Sequence, residues 1–364
     1  MNQRGWCLRF SIALLTFVLA SHLSAQTPGT DVELPLRIGL VRQLKGVKQL
    51  TVSASSKYKI VLTSTKESVT SSDDLGPTVI KACDARIIIQ PSKGQSSTVS
   101  GSITILPDDP GVLLSVNSPG RVGKQYRGYI EITSINGILQ VINIIAMEDY
   151  LRGVLAGEMP SSYPEEALKA QAIAARSYTV RARGRHADAG FDLCDDNHCQ
   201  VYDGTLRERA SCAAAVTATA GRILTHGGRV ASIMYCADCG GVTAGYSEAH
   251  KDTVPYLISV TEPVEIEHRS WEKSFKLADI SAKLIAAGVK EAVGLKSICI
   301  SKVGLSGRAV SLSICGEKGT AEITGTKLRA ALGGTTLPST LFALTTCNNG
   351  SVTFKGKGFG HGVG

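Results

Sequence analysis

The sequence predicts an α+β fold with an N-terminal β-rich layer (residues 35–146) followed by a mixed core of helices and strands (residues 147–364). Two observations predict this division. Short runs of alternating polar and apolar residues, separated by Gly, Pro, Ser and Asp, fill the first part, as in strands and turns. Alanine-rich stretches with helical end signals begin at Met147. A chain of 364 residues is long enough to bury a large hydrophobic core.

The first 25 residues have the pattern of a signal peptide. Arg4 and Arg9 precede or border an apolar run over residues 10–20, and Leu23-Ser24-Ala25 fits a cleavage site. The run is shorter than the ~20 apolar residues of a transmembrane helix, and an uncleaved N-terminal anchor is the alternative. Residues 26–34 form a polar leader. We therefore expect an exported protein of the periplasm, cell envelope or extracellular space, without a transmembrane span after signal removal.

The β-rich part contains eight runs with the alternation of strands. They are residues 36–41, 48–54, 58–64, 85–90, 101–107, 112–117, 126–133 and 138–146. Helical signals are almost absent between them, so we expect a sheet layer.

From Met147 onward, helical and strand patterns are mixed. The predicted helices cover about 148–156, 164–185, 206–220, 277–287 and 324–332. The predicted strands are the hairpins 222–236 and 295–314 and the single runs 255–261 and 271–275. Pro164 and the two glutamates after it favour the start of the long helix, because proline fits the first turn and carboxylates complement the helix dipole. Thr324 is the expected N-cap of the last helix.

The net charge and the cysteine content limit which ligands and which cellular compartment are expected. The net charge is +8, and removing Arg4 and Arg9 leaves 8 − 2 = +6. This charge is spread out, without a Lys/Arg block, so nucleic-acid binding is not expected; an anionic cell-wall polymer suits it better. Nine of the ten cysteines remain after Cys7 is removed. In an oxidising compartment some should pair, for instance Cys299 with Cys315 across a hairpin, with two buried thiols in neighbouring strands as the alternative.

Glu158 is the first candidate for chemistry. It stands in a Gly-Glu-Met-Pro turn between two predicted helices. Burial of such a glutamate beside apolar neighbours would raise its pKa and allow it to act as a general acid near neutral pH. A helix-capping role, or a salt bridge with Arg176 or Arg152, is the structural alternative.

Gln171 and Arg176 are polar residues inside the Ala-rich helix that follows. They are five positions apart, so they do not share one helix face. Spacing alone therefore does not bring both to Glu158. Each could contact a substrate or support the site, or could make a structural hydrogen bond.

A Cys/His cluster follows the long helix: His186, Cys194, His198 and Cys199. Two thiolates and two imidazoles suit a tetrahedral Zn²⁺. The alternative is a Cys194–Cys199 disulfide beside two solvated histidines. Cys236 and Cys239 could supply a second ligand pair or disulfide partners. Near the end of the chain, Gly360 and His361 could bring an imidazole to a polymer on a flexible backbone, although such a histidine is also an ordinary loop residue.

Taken together, the ordered blocks over residues 36–364 resemble the stage II sporulation protein D / amidase enhancer LytB family. They are LRGVLAGEMPSSYPEEALKAQAIAARSYTVRAR (151–183), FDLCDDNHCQVYDG (191–204), CGGVTAGYSE (239–248), PYLISV (255–260), WEKSF (271–275) and GKGFGHGVG (356–364). The family pattern usually continues past GHGVG, so we expect either missing residues or an unusual C-terminus.

The resemblance implies a lytic transglycosylase that cleaves MurNAc–GlcNAc bonds of peptide-stripped peptidoglycan strands. It implies Glu158 as the catalytic acid and Arg176 as a further catalytic residue. The segment with Cys194, His198 and Cys199 resembles a region that binds zinc in some members and is metal-free in others, and a closed four-ligand zinc site would be structural. Gln171, Gly360 and His361 are candidate substrate-binding residues from their own pattern. One carboxylate suffices for this reaction, because the C6 hydroxyl of the sugar can replace the second carboxylate of ordinary glycosidases. A cell-wall amidase is the implied partner. The alternative is a non-catalytic, wall-binding enhancer of that amidase.

Overall fold

The computed structural model describes residues 24–26, 35–70, 75–262, 267–347 and 350–364. The predicted signal peptide and polar leader lie outside these residues except for the short strand β1 (Ser24–Gln26). Among the described residues, no helix is both long enough and apolar enough to cross a membrane.

Two six-stranded sheets form the N-terminal part. Their strands before residue 147 are β2 (Leu36–Gly39), β3 (Gln49–Ala54), β4 (Tyr58–Leu62), β5 (Thr78–Cys83), β6 (Arg86–Pro91), β7 (Ser97–Ser100), β8 (Ile103–Pro107), β9 (Leu114–Asn117), β10 (Lys124–Tyr126), β11 (Tyr129–Ile135) and β12 (Ile138–Ile145). One sheet has the order β10-β9-β3-β5-β6-β7. The other adds β13 (Leu193–Cys194) in the order β13-β2-β12-β11-β8-β4. Alternate apolar residues of these strands face one shared core, in which Ile80 and Ile132 are fully buried.

Four helices accompany the sheets: α1 (Val41–Leu44), α2 (Met147–Glu158), α3 (Glu165–Ala182) and α4 (Ala210–Ala218). The apolar faces of α2, α3 and α4 belong to the same core as the sheets. The small residues Ala172 and Ala175 of α3 are fully buried, which permits close helix packing. The hairpin of β14 (Ile223–His226) and β15 (Arg229–Val230) follows, and β1 pairs with β14.

The C-terminal part has its own hydrophobic core. It contains α5 (Tyr246–Ala249), β16 (Ser270–Lys276), α6 (Leu277–Ala286), β17 (Ser297–Val303), β18 (Ala309–Gly316), β19 (Gly319–Thr324), α7 (Gly325–Leu332), β20 (Phe342–Cys347) and β21 (Ser351–Lys357). These strands form two antiparallel sheets, β16-β21-β20 and β17-β18-β19. The Thr324 hydroxyl accepts a hydrogen bond from the Lys327 N–H at 3.0 Å and so caps α7 as expected.

The structure confirms the predicted α+β class and corrects details. The run 255–261 is not a strand: it lies beside residues 242–246 through separate contacts such as the Thr243 N–H to the Val260 carbonyl. The first hydrophobic core extends from Leu36 to Val216 and so contains residues on both sides of position 146. Cys299 and Cys315 are free thiols here, each opposite a serine of the neighbouring strand.

Candidate functional site

Glu158 is the last residue of α2. The helix begins with Glu148 and Asp149 in its first turn, where carboxylates favour the dipole. It ends because Met159 precedes a proline and adopts an extended conformation. The Glu158 side chain is half-buried, and its Oε1 accepts a hydrogen bond from the Val201 N–H at 2.7 Å.

Two glycines allow the segment that contains Val201 to lie directly on α2. Gly153 and Gly157 are one turn apart on the same helix face. A Cβ on Gly153 would lie 2.6 Å from the Gly204 carbonyl oxygen, and one on Gly157 would lie 2.8 Å from that of Val201. Only glycine permits these approaches without displacement, so the pair fixes the Val201 N–H at the Glu158 carboxylate.

The surroundings of Glu158 favour its protonated form. Burial raises its pKa, because desolvation disfavours the charged carboxylate. The Val201 hydrogen bond and the positive charge of Arg207 act in the opposite direction but do not cancel this effect. The site therefore holds a carboxylic acid that retains its proton to higher pH than an exposed glutamate does, as a general acid requires.

A buried amide connects this site to two tyrosines. Gln200 is fully buried, and its Oε1 accepts a hydrogen bond from the Tyr150 hydroxyl at 3.3 Å. Its Nε2 donates to the Tyr235 hydroxyl oxygen at 2.9 Å, which leaves the Tyr235 proton free for another acceptor. Burial and then the Glu158 charge raise the pKa of Tyr235, so this phenol stays neutral. The sequence analysis missed both Gln200 and Tyr235, because nothing in their local pattern indicates such contacts.

Arg176 makes contacts that connect three helices. Its guanidinium is fully buried and forms two hydrogen bonds with Glu148, at 2.9 and 2.7 Å. It also donates to the carbonyls of Val216 and Arg222. Arg176 thus joins α3 to the start of α2 and to the end of α4, and its expected catalytic role stays a prediction. The salt bridge considered for Glu158 is not formed, because Arg176 pairs with Glu148 and Arg152 pairs with Asp149.

The Nε2 atom of Gln171 is buried and has no hydrogen-bond partner among the described residues. This amide nitrogen can donate a hydrogen bond to an acceptor on a ligand. Its role in substrate binding stays a prediction.

Gly360 and His361 belong to a packed segment and not to the open loop that the glycines predicted. Gly360 has a φ of +119°, and a Cβ there would lie 2.8 Å from that of Cys236. Nδ1 of His361 accepts a hydrogen bond from the Val363 N–H at 3.0 Å. Burial, followed by the charges of His250, Arg329 and Arg308, lowers the pKa of His361 to about 4. The imidazole is therefore neutral, and it is hydrogen-bonded to the backbone of Tyr235. Its direct contact with a substrate stays a prediction.

The four predicted metal ligands converge. Their ligand atoms all lie within 4.8 Å of one another. Cys199 Sγ is 3.4 Å from His186 Nε2 and 3.6 Å from His198 Nδ1, and Cys194 Sγ is 3.8 Å from the same Nδ1. A tetrahedral zinc with ordinary bond lengths separates sulfur and nitrogen ligands by about 3.6 Å. Both cysteines are free thiols, so the donor set and its spacing fit a closed zinc site.

Cys236 and Cys239 lie outside this cluster as free thiols. The Cys239 thiol donates a hydrogen bond to the Glu262 carboxylate at 2.7 Å. They supply no ligand to the four-residue site.

Comparison with known proteins places the chain in a family. The model of the family described as "SpoIID: Stage II sporulation protein" matches residues 136–226. The stage II sporulation protein D of Bacillus subtilis is 30% identical over 245 residues, which cover 62% of this chain and 67% of that protein. This chain belongs to the stage II sporulation protein D family. Glu158 and the four cluster residues all lie within the matched family region.

Other relatives extend the comparison. An uncharacterized protein of Brachyspira hyodysenteriae is 33% identical over 66% of this chain and 65% of its own length. The amidase enhancer of Bacillus subtilis is 30% identical over 59% of this chain and 36% of its own length. The chain thus spans about two-thirds of the length of the first two relatives. A second family, a domain of unknown function (DUF8618), matches residues 247–364, which include His361.

Proposed function

We propose that this protein is an exported lytic transglycosylase of the cell envelope that cleaves MurNAc–GlcNAc bonds in peptide-stripped peptidoglycan strands. The observation that carries the proposal is Glu158, a half-buried carboxyl group with a raised pKa and a fixed hydrogen bond. The names of the family and of its relatives, a sporulation protein and an amidase enhancer, support a role at the cell wall.

A single carboxyl group can perform the whole reaction. Protonated Glu158 donates its proton to the glycosidic oxygen as the bond from this oxygen to the anomeric carbon breaks. The C6 hydroxyl of the same muramic acid attacks the anomeric carbon, and the Glu158 carboxylate accepts its proton. The products are a free hydroxyl on the leaving sugar and a 1,6-anhydro ring, and Glu158 returns to its protonated form. The Val201 N–H orients the carboxylate throughout.

Mass spectrometry of digested glycan strands tests this proposal. We expect anhydro-muropeptide or anhydro-sugar ends when the full-length protein is incubated with amidase-treated strands, and a loss of at least about a hundredfold in Glu158→Gln. Glu322→Gln, a change of an exposed glutamate in β19, is the matched control. Absence of product from the unmodified protein refutes the proposed transglycosylase activity. Product that persists in Glu158→Gln shows that Glu158 is not the catalytic acid.

A non-catalytic enhancer of a cell-wall amidase is the second candidate. The similarity to a protein named amidase enhancer favours it. It predicts that the protein raises the turnover of an added N-acetylmuramoyl-L-alanine amidase without producing anhydro ends itself. This outcome would replace the transglycosylase proposal.

We also propose that His186, Cys194, His198 and Cys199 hold one structural zinc ion. Zinc would tie the loop after α3 to β13, and four protein ligands leave no position for a reactive water. Elemental analysis should find about one zinc per chain, reduced in Cys199→Ser but not in Cys83→Ser, a free cysteine in β5. Absence of zinc together with a Cys194–Cys199 disulfide would show that the disulfide alternative is correct.

A further inference from the structure

A polar cavity of about 410 Å³ lies at the C-terminal end of α3. Three of its lining residues are arginines: Arg181, Arg183 and Arg185. No acidic side chain is among its lining residues, all of which belong to the described part of the chain. The cavity is therefore a positively charged pocket suited to an anionic group.

This pocket adjoins the Glu158 site through two aromatic rings. Tyr178 lines the pocket, and its ring centroid lies 6.4 Å from that of Tyr235. Tyr235 is hydrogen-bonded to Gln200, and the next residue, Val201, holds the Glu158 carboxylate. The two tyrosines and Gln200 therefore form a chain of contacts between the pocket and the segment at Glu158.

The three guanidinium groups differ in how they are held. Arg185 donates to the Tyr178 hydroxyl at 2.8 Å and to the His198 carbonyl at 3.2 Å, and it lies over the Tyr178 ring. Arg183 donates to the Pro35 carbonyl at 2.8 Å, and its Nε pairs with the Asp192 carboxylate at 3.8 Å. Arg181 is exposed and makes no hydrogen bond or ion pair with another described residue. Arg185 is consequently preoriented, and Arg181 is available to a ligand.

We propose that this pocket binds the free lactyl carboxylate of an N-acetylmuramic acid unit in the strand that Glu158 cleaves. The inference rests on the proposed function and names the chemical group that the same site recognises. Guanidinium groups pair with carboxylates through two parallel hydrogen bonds. When a stem peptide is attached, the lactyl carboxyl is an amide and carries no charge. Binding at Arg181 therefore selects units from which the peptide has been removed.

Equilibrium binding to the non-cleaving Glu158→Gln protein tests this inference. The three ligands are peptide-free strands, the same strands with their carboxylates converted to methylamides, and strands that retain stem peptides, which carry carboxylates of their own. We expect peptide-free strands to bind about tenfold more tightly than either of the others. The preference should disappear in Arg181→Gln and persist largely in Arg181→Lys. Arg86→Gln, an equal change of charge at an exposed residue of β6, should retain this preference.

Two results would overturn the inference. One is equal affinity for the free and the amidated strands. The other is an equal loss of affinity in Arg181→Gln and Arg86→Gln, which would indicate only general charge attraction. If the unmodified protein cleaves strands without regard to their carboxylates, only this inference fails. If it neither binds nor cleaves peptide-free strands, the proposed function fails as well.

Discussion

At the residue scale, the proton on Glu158 sets the pH range in which the proposed reaction can proceed. Burial favours the neutral carboxyl, so its pKa lies above the ordinary 4.5 of a glutamate. The general acid must be protonated before it can donate. We therefore expect the rate of strand cleavage at low substrate concentration to fall as pH rises through a midpoint above 4.5.

The variant Arg207→Gln tests whether Glu158 sets this pH dependence of cleavage. The Arg207 charge lowers the pKa of Glu158, so its removal should move the midpoint to higher pH. A rate that rises with pH through the same range, or a midpoint that moves down in Arg207→Gln, would contradict the role of Glu158 as acid.

The lowered pKa of His361 predicts that the stability of the folded protein depends on pH. Its pKa is about 4 in the folded protein and near 6.5 when unfolded. Between these values the unfolded chain binds a proton that the folded chain does not, so stability is complete above pH 6.5 and declines as pH falls toward 4. The decline attributable to this residue is on the order of 3 kcal/mol.

Denaturant unfolding at several pH values measures this contribution. His361→Gln keeps an acceptor for the Val363 N–H but cannot gain the proton. The free energy of unfolding should therefore depend less steeply on pH in this variant between pH 6.5 and 4. Parallel curves for the two proteins would refute the prediction.

The candidate residues show what sequence can and cannot indicate at this scale. His186, Cys194, His198 and Cys199 are close in the chain, so a short loop brings them together and their residue types predict the cluster. Arg176 pairs with Glu148, 28 positions earlier, and Gln200 meets Tyr235, 35 positions later. Such contacts depend on how helices and loops pack, which the local pattern does not encode.

At the scale of elements, the approach of residues 201–204 to α2 depends on two glycines within a helix. Glycine in a helix ordinarily costs about 1 kcal/mol relative to alanine. At Gly157 replacement by alanine should instead destabilise the protein, because the new Cβ would lie 2.8 Å from the backbone oxygen of Val201. We expect Gly157→Ala to displace the Val201 N–H from Glu158 and to reduce cleavage about tenfold or more.

Comparison with an open glycine separates this effect from a general change in helix propensity. Gly288, just after α6, has no atom within 4 Å of a Cβ position, although its φ of +82° makes alanine strained there. Gly288→Ala should lower the melting temperature without a loss of activity at a temperature where it is folded. Full activity of Gly157→Ala would show that the close approach is not needed.

Most elements were predictable because their signals are local. The ends of α2 and α3 follow proline and charge signals, and alternation marks most strands of the first two sheets. The run 255–261 has the composition of a strand but lies beside residues 242–246, where only isolated bridges form. Conversely, β5, β7 and β10 lack a strong apolar alternation and depend on pairing with neighbouring strands.

At the scale of the whole molecule, two separate hydrophobic cores predict two unfolding steps. The first core contains Leu50 and the second contains Leu312, and both side chains are fully buried. Truncation of either leucine to alanine should cost about 2–5 kcal/mol. We expect calorimetry to resolve two transitions, with Leu50→Ala lowering one midpoint and Leu312→Ala the other. A single transition that both variants lower equally would show one cooperative unit.

Asp203, at the end of the segment that holds Glu158, has a consequence for dissecting the protein. This buried carboxylate pairs with Arg42 of α1 and Lys124 of β10, both from before residue 136. The stretch that matches the family, residues 136–226, consequently lacks two of the groups that anchor its own loop. A fragment limited to the matched residues would therefore lose both ion pairs. A fragment that keeps both must begin before Arg42 of α1.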